Sequence, residues 1–239
     1  MSNIQINPYN FAVPSWEFED DFTTYATQGA ADAVWIPVVT GSITLAVDIS
    51  NDYLKVVSPS STSFLFGSNT RNLTATDDTA FVLRYKLHWI SSNQVGGYSA
   101  DYCTGLFNFN SSSGTNVNQD YIGVVNQVQA GYAKYVTAAG NGKSPIDGSG
   151  FKSNFTTVIP TNGDDRYFET IRTSATTFTV QIFSDSGYSA SLEAKSDSCS
   201  SSITDLDFTG IKGQSGNANA AQSYYIDDVQ FANGVTVAP

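Results

Sequence analysis

Charge, sulfur and histidine are all scarce in this sequence. Charged residues make up 14% of its 239 positions, against roughly 25% in an average soluble domain. Its surface must therefore be built largely from Ser, Thr, Asn, Gln and Gly. His88 is the one histidine, so any serine or cysteine nucleophile relay has to use that ring. The two cysteines, Cys103 and Cys199, are too few for a disulfide framework, and the sequence leaves their pairing open. No apolar run approaches the ~20 residues of a membrane span, so membrane insertion is not expected. The start, MSNIQINPYNF, has neither the basic region nor the apolar block of a signal peptide. Nucleophile elbows, phosphate-binding glycine loops and zinc-ligand spacings are missing too. The 11 basic residues face 22 acidic ones, a formal net charge of -11. That balance repels phosphate backbones and argues against nucleic acid as a partner.

What is abundant points to strands. Hydrophobic residues reach 41% and aromatics 13%, enough to bury a core, and β-branched and aromatic side chains suit a pleated sheet. From Trp16 onward, short alternating segments are separated by Gly, Asn, Asp and Ser clusters, the spacing of an all-β sandwich. The clearest runs from Thr79 to Ile90. There Phe81, Leu83, Tyr85, Leu87 and Trp89 alternate with Val82, Arg84, Lys86 and His88, giving one apolar and one basic face. Thr104–Phe109 and Tyr121–Val128 read as a central pair, Asp185-Ser186-Gly187 as a turn, and Tyr224–Phe231 as the last strand. Ala30, Ala31 and Ala33 suggest a short helical turn after Gly29. Residues 1–15, with Pro8 and Pro14, read as an extended N-terminal arm, and no linker divides residues 16–239, which are expected to form a single domain.

Three stretches carry a resemblance to a known superfamily. They are Phe18-Glu19-Asp20-Asp21-Phe22 with Tyr25 and Trp35, then Phe81-Val82-Leu83-Arg84-Tyr85-Lys86-Leu87, and Tyr224-Tyr225-Ile226-Asp227-Asp228-Val229-Gln230-Phe231. Together they resemble the concanavalin A-like lectin/glucanase superfamily, including laminin-G-like jelly rolls. The resemblance implies a lectin-like antiparallel jelly-roll sandwich of two sheets, with its first and last strands adjacent. The Ser/Thr/Asn-rich style and the arm also look like lectin-like structural proteins of viruses and phages, an analogy of fold and not of function.

Adjacent terminal strands would bring the Asp20-Asp21 pair close to the Asp227-Asp228 pair. Asp227 shares parity with Tyr225, Val229 and Phe231, which would turn its carboxylate inward, and a buried carboxylate needs a partner. A structural calcium ion would serve, as related lectin-like folds often hold one near these termini; a lysine or capped backbone amides would serve as well. The Arg84, Lys86 and His88 row offers contacts to an acidic glycan or a neighbouring subunit, or else pairs with acids across strands. Tyr98, Tyr102, Tyr132, Tyr135 and Tyr188 lie in or near expected loops, where rings anchor sugars or protein partners. Glucanase members of the superfamily carry alternating acids on one strand; here only Glu17, Glu19 and Asp21 share parity, at the start of the chain.

The expectation is therefore a non-catalytic structural or surface protein, a virion decoration, capsid-associated or fibre component at a virion or extracellular surface. It would form homo-oligomers or join other virion or surface proteins. The alternative is a carbohydrate-binding lectin module that attaches to cell-surface glycans. A glycan-cleaving enzyme using Glu17, Glu19 or Asp21 comes third.

Overall fold

The computed structural model describes residues 14–39, 41–59, 65–74, 77–94, 100–108, 119–129, 132–144, 149–215 and 220–239. The arm expected over residues 1–15 lies outside these residues apart from Pro14 and Ser15, and so does Tyr98. In chain order the first strands are β1 (Phe18–Asp20), β2 (Trp35–Val39), β3 (Thr44–Asp48), β4 (Tyr53–Ser58) and β5 (Leu65–Asn72). There follow β6 (Phe81–Gln94), β7 (Ala100–Phe107), β8 (Gln119–Gln129), β9 (Tyr132–Lys143) and β10 (Phe151–Asn154). The last are β11 (Asp165–Ser174), β12 (Thr177–Phe183), β13 (Ser191–Ser198), β14 (Phe208–Ser215) and β15 (Ala220–Asn233). Among the described residues one helix, α1 (Gln28–Val34), falls on the alanine cluster, and the Thr27 side chain caps it by accepting from the Ala30 N–H at 3.2 Å.

The strands form two antiparallel sheets. Sheet I has the order β13-β12-β11-β6-β15-β4-β3, with β1 added beside β15; sheet II has the order β10-β9-β8-β7-β14-β5-β2. The core lies between them. On β6, Phe81, Leu83, Tyr85, Leu87 and Trp89 all face inward and are buried, as their alternation dictates. Their rings stack in pairs: Trp89 on Tyr224 at 5.5 Å and Tyr85 on Phe168 at 5.0 Å, with Tyr135 edge-on to both Trp89 and Phe168. Burying each such side chain contributes about 1.5–3 kcal/mol. The β-sandwich expected from the sequence is present, as are the lectin-like jelly-roll form and the adjacency of first and last strands that the resemblance implies.

Packing corrects the placement of two rings and answers the cysteine pairing that the sequence leaves open. Tyr102 and Tyr135 are not loop rings but fully buried residues of β7 and β9, facing the core. Cys103 and Cys199 are both free, with Cys103 buried on the opposite side of its strand from Tyr102. On that outward side of sheet II, Cys103, Phe107, Tyr121, Val125, Val136 and Ala138 make a second buried cluster. Beside it Lys212 donates to Gln119 Oε1 at 2.9 Å, and burial pushes its ammonium down to about 7. Strands β9 and β14 escape sequence reading because they are rich in Ala and Gly. Their glycines are required by contact: a Cβ on Gly140 would sit 2.3 Å from the Tyr121 ring, and one on Gly213 2.2 Å from the Tyr102 ring.

Candidate functional site

The pairing of β1 with β15 sets Phe18 opposite Phe231, Glu19 opposite Gln230 and Asp20 opposite Val229. The two terminal Asp pairs therefore do lie side by side, but their four carboxylates have separate roles. Asp20 points inward. Its Oδ2 accepts from the Tyr25 hydroxyl at 2.5 Å, Trp35 Nε1 at 2.8 Å and an Arg71 guanidinium N–H at 2.8 Å. Its Oδ1 accepts from the Phe22 N–H at 3.0 Å. Asp21 points to solvent, and the Thr23 hydroxyl and N–H hold its carboxyl below the usual range.

Asp227 does not turn into the core as its parity suggests. Tyr224 and Ile226 face inward, a β-bulge follows with Asp228 at φ 50°, and the register shift lets Val229 and Phe231 face inward next. One inserted residue moves Asp227 to the outer face, 4.0 Å from Lys86 Nζ, one of the alternatives open at the sequence level. Burial first, then the Asp228 charge, raise its carboxyl to about 6, and Asp21 adds to this. An acid whose folded value lies above its unfolded one binds a proton in the fold first, so stability falls as pH rises from 3.8 towards 6. Asp227→Asn removes that penalty. Denaturation midpoints measured across this range should converge for variant and parent below it and favour the variant above; equal curves throughout would refute the assignment.

Above β1 and β15 opens a cleft of about 380 Å³ lined by Glu19, Asp20, Asp21, Tyr167, Ser186, Tyr188, Asp228 and Gln230. Its far wall is built by the turn between β12 and β13. There the Asp185 carboxylate accepts from the N–H groups of Ser189 and Ala190, folding Tyr188 over the sheet. The Tyr188 ring meets Tyr167 and Phe183 edge-on, and the Arg84 guanidinium lies 4.0 Å from its centroid. Burial keeps its hydroxyl protonated well beyond the ordinary phenol range. Phe22, Tyr188 and Asp228, from three separate segments at or beside this cleft, are three of the five non-glycine residues with positive φ among the described residues. Such strain costs about 1–3 kcal/mol per residue and concentrates at ligand clamps.

The basic row is neutralised. Arg84 pairs with Glu169 at 2.6 Å, Lys86 with Asp165 at 3.5 Å, and His88 Nδ1 with Asp165 at 2.6 Å. The His88 ring stacks on Tyr225, which stacks on Tyr53. These acids come from β11, which runs antiparallel to β6 with Asp165 opposite His88 and Glu169 opposite Arg84. The row thus pairs with acids across strands, one of the two arrangements its sequence allows. Asp165 orients His88, yet among the described residues no hydroxyl or thiol hydrogen-bonds to the ring. Glu17, Glu19 and Asp21 accept hydrogen bonds from the Thr74 N–H, the Gln230 side chain and Thr23 respectively. Tyr132 is 40% exposed under Lys134, on β9 in the other sheet.

Among the described residues, no group of three or more acids, histidines or cysteines is arranged to hold a metal ion. Asp20 is committed to four donors, so the four-aspartate calcium set expected from sequence is not assembled as such.

No protein family matches the sequence, and no curated protein does. Solved structures match over nearly the whole chain. A protein of unknown function from Shewanella oneidensis MR-1 is 16% identical, with 92% of this chain and 87% of that one covered and a TM-score of 0.57. The Emp46p carbohydrate recognition domain, potassium-bound, is 10% identical over 92% of this chain and 100% of its own, at 0.56. The VIP36 exoplasmic/lumenal domain, in its Ca2+/Man3GlcNAc-bound form, is 12% identical over 87% and 88%, at 0.52. The fold is that of the legume-type lectins. At these identities the likeness extends to the fold alone. Within this lectin-like fold, sequence reading found Glu19, Asp20, Asp21, Asp228 and, as a loop ring, Tyr188, and marked Ser186 only as part of a turn. It missed Tyr167 and Gln230 as site residues, which carry no local signal and meet the others only through the order of strands in sheet I.

Proposed function

We propose that the chain is a carbohydrate-binding module without catalytic activity, and that sugar occupies the cleft between β1, β15, β11 and the Ser186–Tyr188 turn. The observation that carries this reading is the lining itself. Glu19, Asp21 and Asp228 offer carboxylate acceptors, Gln230 an amide, and Tyr167 and Tyr188 hydroxyls with aromatic bodies, in a space of about 380 Å³. Small-molecule sites fall in the range of roughly 300–1,000 Å³, with a few convergent polar groups setting orientation. The lectin-like fold supports the reading, and the sugar-bound VIP36 structure shows that this fold can hold an oligosaccharide. A virion or fibre role has no comparable support.

Glycan-array binding followed by calorimetry tests it, with Asp228→Asn and Tyr167→Phe as variants. Asparagine tolerates the left-handed backbone at 228, and phenylalanine keeps the ring at 167. Asp228→Asn should weaken binding about tenfold or more, as expected for a lost hydrogen bond worth about 1.5–3 kcal/mol to a charged group, and Tyr167→Phe about two- to tenfold, for a neutral one worth about 0.5–1.5 kcal/mol. Silence across the array, or binding indifferent to both changes, would reject the site. One arm holds calcium and one a chelator. Loss of binding only in the chelator arm would show that sugar binding requires a cation.

A further inference from the structure

The sequence contains three Asn-Gly pairs, Asn141-Gly142, Asn162-Gly163 and Asn233-Gly234. In such a pair no side chain hinders the glycine nitrogen as it approaches the preceding carboxamide. Its attack on the asparagine Cγ forms a C–N bond, closes a succinimide ring and expels ammonia. Water then opens the ring at either carbonyl, leaving aspartate or isoaspartate. All three pairs share this chemistry, and the fold distinguishes them.

Asn141 is held by its leaving group: Nδ2 donates to Ser202 O at 2.7 Å and to Asp120 Oδ1 at 3.2 Å, while the Gly142 N–H donates to the same Asp120 oxygen. Asn233 is held by its carbonyl, which accepts from the Asp77 N–H at 2.6 Å, and the Gly234 N–H is tied to Ala80 O at 2.9 Å. Asn162 differs. It is exposed in the turn before β11, closed by Asp164 N–H to Thr161 O at 3.1 Å, and its side-chain amide makes no hydrogen bond with the described residues. Gly163 adopts φ +84°, and nothing lies within 4 Å of where its Cβ would be. One bond restrains the attacking nitrogen, from Gly163 N–H to Trp89 O.

We propose that Asn162 is the site of spontaneous deamidation in the folded protein, and that Asn141 and Asn233 are protected by their hydrogen bonds. The new carboxylate would stand beside Asp164 and Asp165. The isoaspartyl product would add a backbone carbon within the turn that gives Trp89 two backbone hydrogen bonds, from Gly163 N–H and to Asp164 O. Asp165, which orients His88 and pairs with Lys86, follows directly.

The test is ageing of the folded chain in mildly alkaline buffer, then peptide mapping for the amide-to-acid mass change and for isoaspartate. A parallel sample is held unfolded in denaturant. In the folded sample, conversion at Asn162 should run at least about tenfold faster than at Asn141 or Asn233, the ratio produced by a local opening that costs about 1.4 kcal/mol. In the unfolded sample the three rates should converge. Asn162→Ser should abolish the main acidic species on ion exchange. Equal rates in the folded state, or conversion led by Asn141 or Asn233, would overturn the proposal. So would an Asn162 that stays intact in the fold while converting in denaturant.

Discussion

Replacing Asp20 by asparagine should cost about 3 kcal/mol, the lower end of the range for breaking a buried ion pair, because Arg71 remains about a quarter exposed. At roughly 2–4 °C per kcal/mol for a chain of this size, the melting temperature should fall by about 6–12 °C. Asp20 sits on β1 of sheet I, while Trp35 on β2 and Arg71 on β5 belong to sheet II. A single carboxylate oxygen therefore joins the two sheets at this edge. Asparagine supplies one neutral oxygen and an amide that would face donors with another donor, leaving Arg71 without its counter-charge. Asp21→Asn is the control: Asp21 is exposed and bonded only locally to Thr23, so its variant should stay within about 0.5 kcal/mol of the parent. Combining Asp20→Asn with Arg71→Met should recover part of the loss, as a coupled pair requires. Equal melting curves for the Asp20 and Asp21 variants would show that the tie does not carry the load assigned to it. Because β1 also supplies Glu19 to the cleft and Asp21 follows it directly, the Asp20 variant should lose ligand affinity along with stability.

Gly105→Ala should be of comparable size, for a steric reason. Gly105 on β7 lies in register with Gly210 on β14 and Gly123 on β8, in the middle of sheet II. A Cβ there would stand 2.2 Å from Ile122 O and 2.6 Å from the Gly123 Cα. Both obstacles are backbone, so no rotamer change relieves them and the β7–β8 pairing must widen. Overpacking of this kind costs about 1–3 kcal/mol and occasionally more, and the upper end applies where only main chain can yield. The same substitution at Gly29 in α1 meets nothing within 4 Å and should stabilise by up to about 1 kcal/mol, since alanine is the better helix former. Denaturant unfolding of the pair should give opposite signs; a stabilised Gly105→Ala would contradict the packing described.

The sandwich itself was legible. Alternation in Phe81–Trp89 determined which face of β6 is core, and the alanines after Gly29 marked α1. The Asp185-Ser186-Gly187 cluster marked the turn between β12 and β13 that raises Tyr188 over the cleft. Period-two patterning and turn chemistry are local, so a chain states them without reference to its own distant parts. The closeness of the two terminal Asp pairs came only with the family resemblance, which places the first and last strands together.

The tertiary structure alone decided what each marked residue meets. Asp165 and Glu169 pair with His88 and Arg84 because β11 lies beside β6 in one register, a choice no local pattern encodes. Asp227 faces outward because one residue bulges at Asp228, and that insertion reverses the parity for everything after it. Tyr102 and Tyr135 are core because β7 and β9 are central and inner strands of sheet II, while β9 and β14 exist as strands despite their glycines because neighbouring rings and main chain need that space. Local sequence sets the direction a side chain takes from its strand, and long-range pairing sets what stands opposite it. The cleft, whose walls come from both ends of the chain and two segments between, belongs wholly to the second.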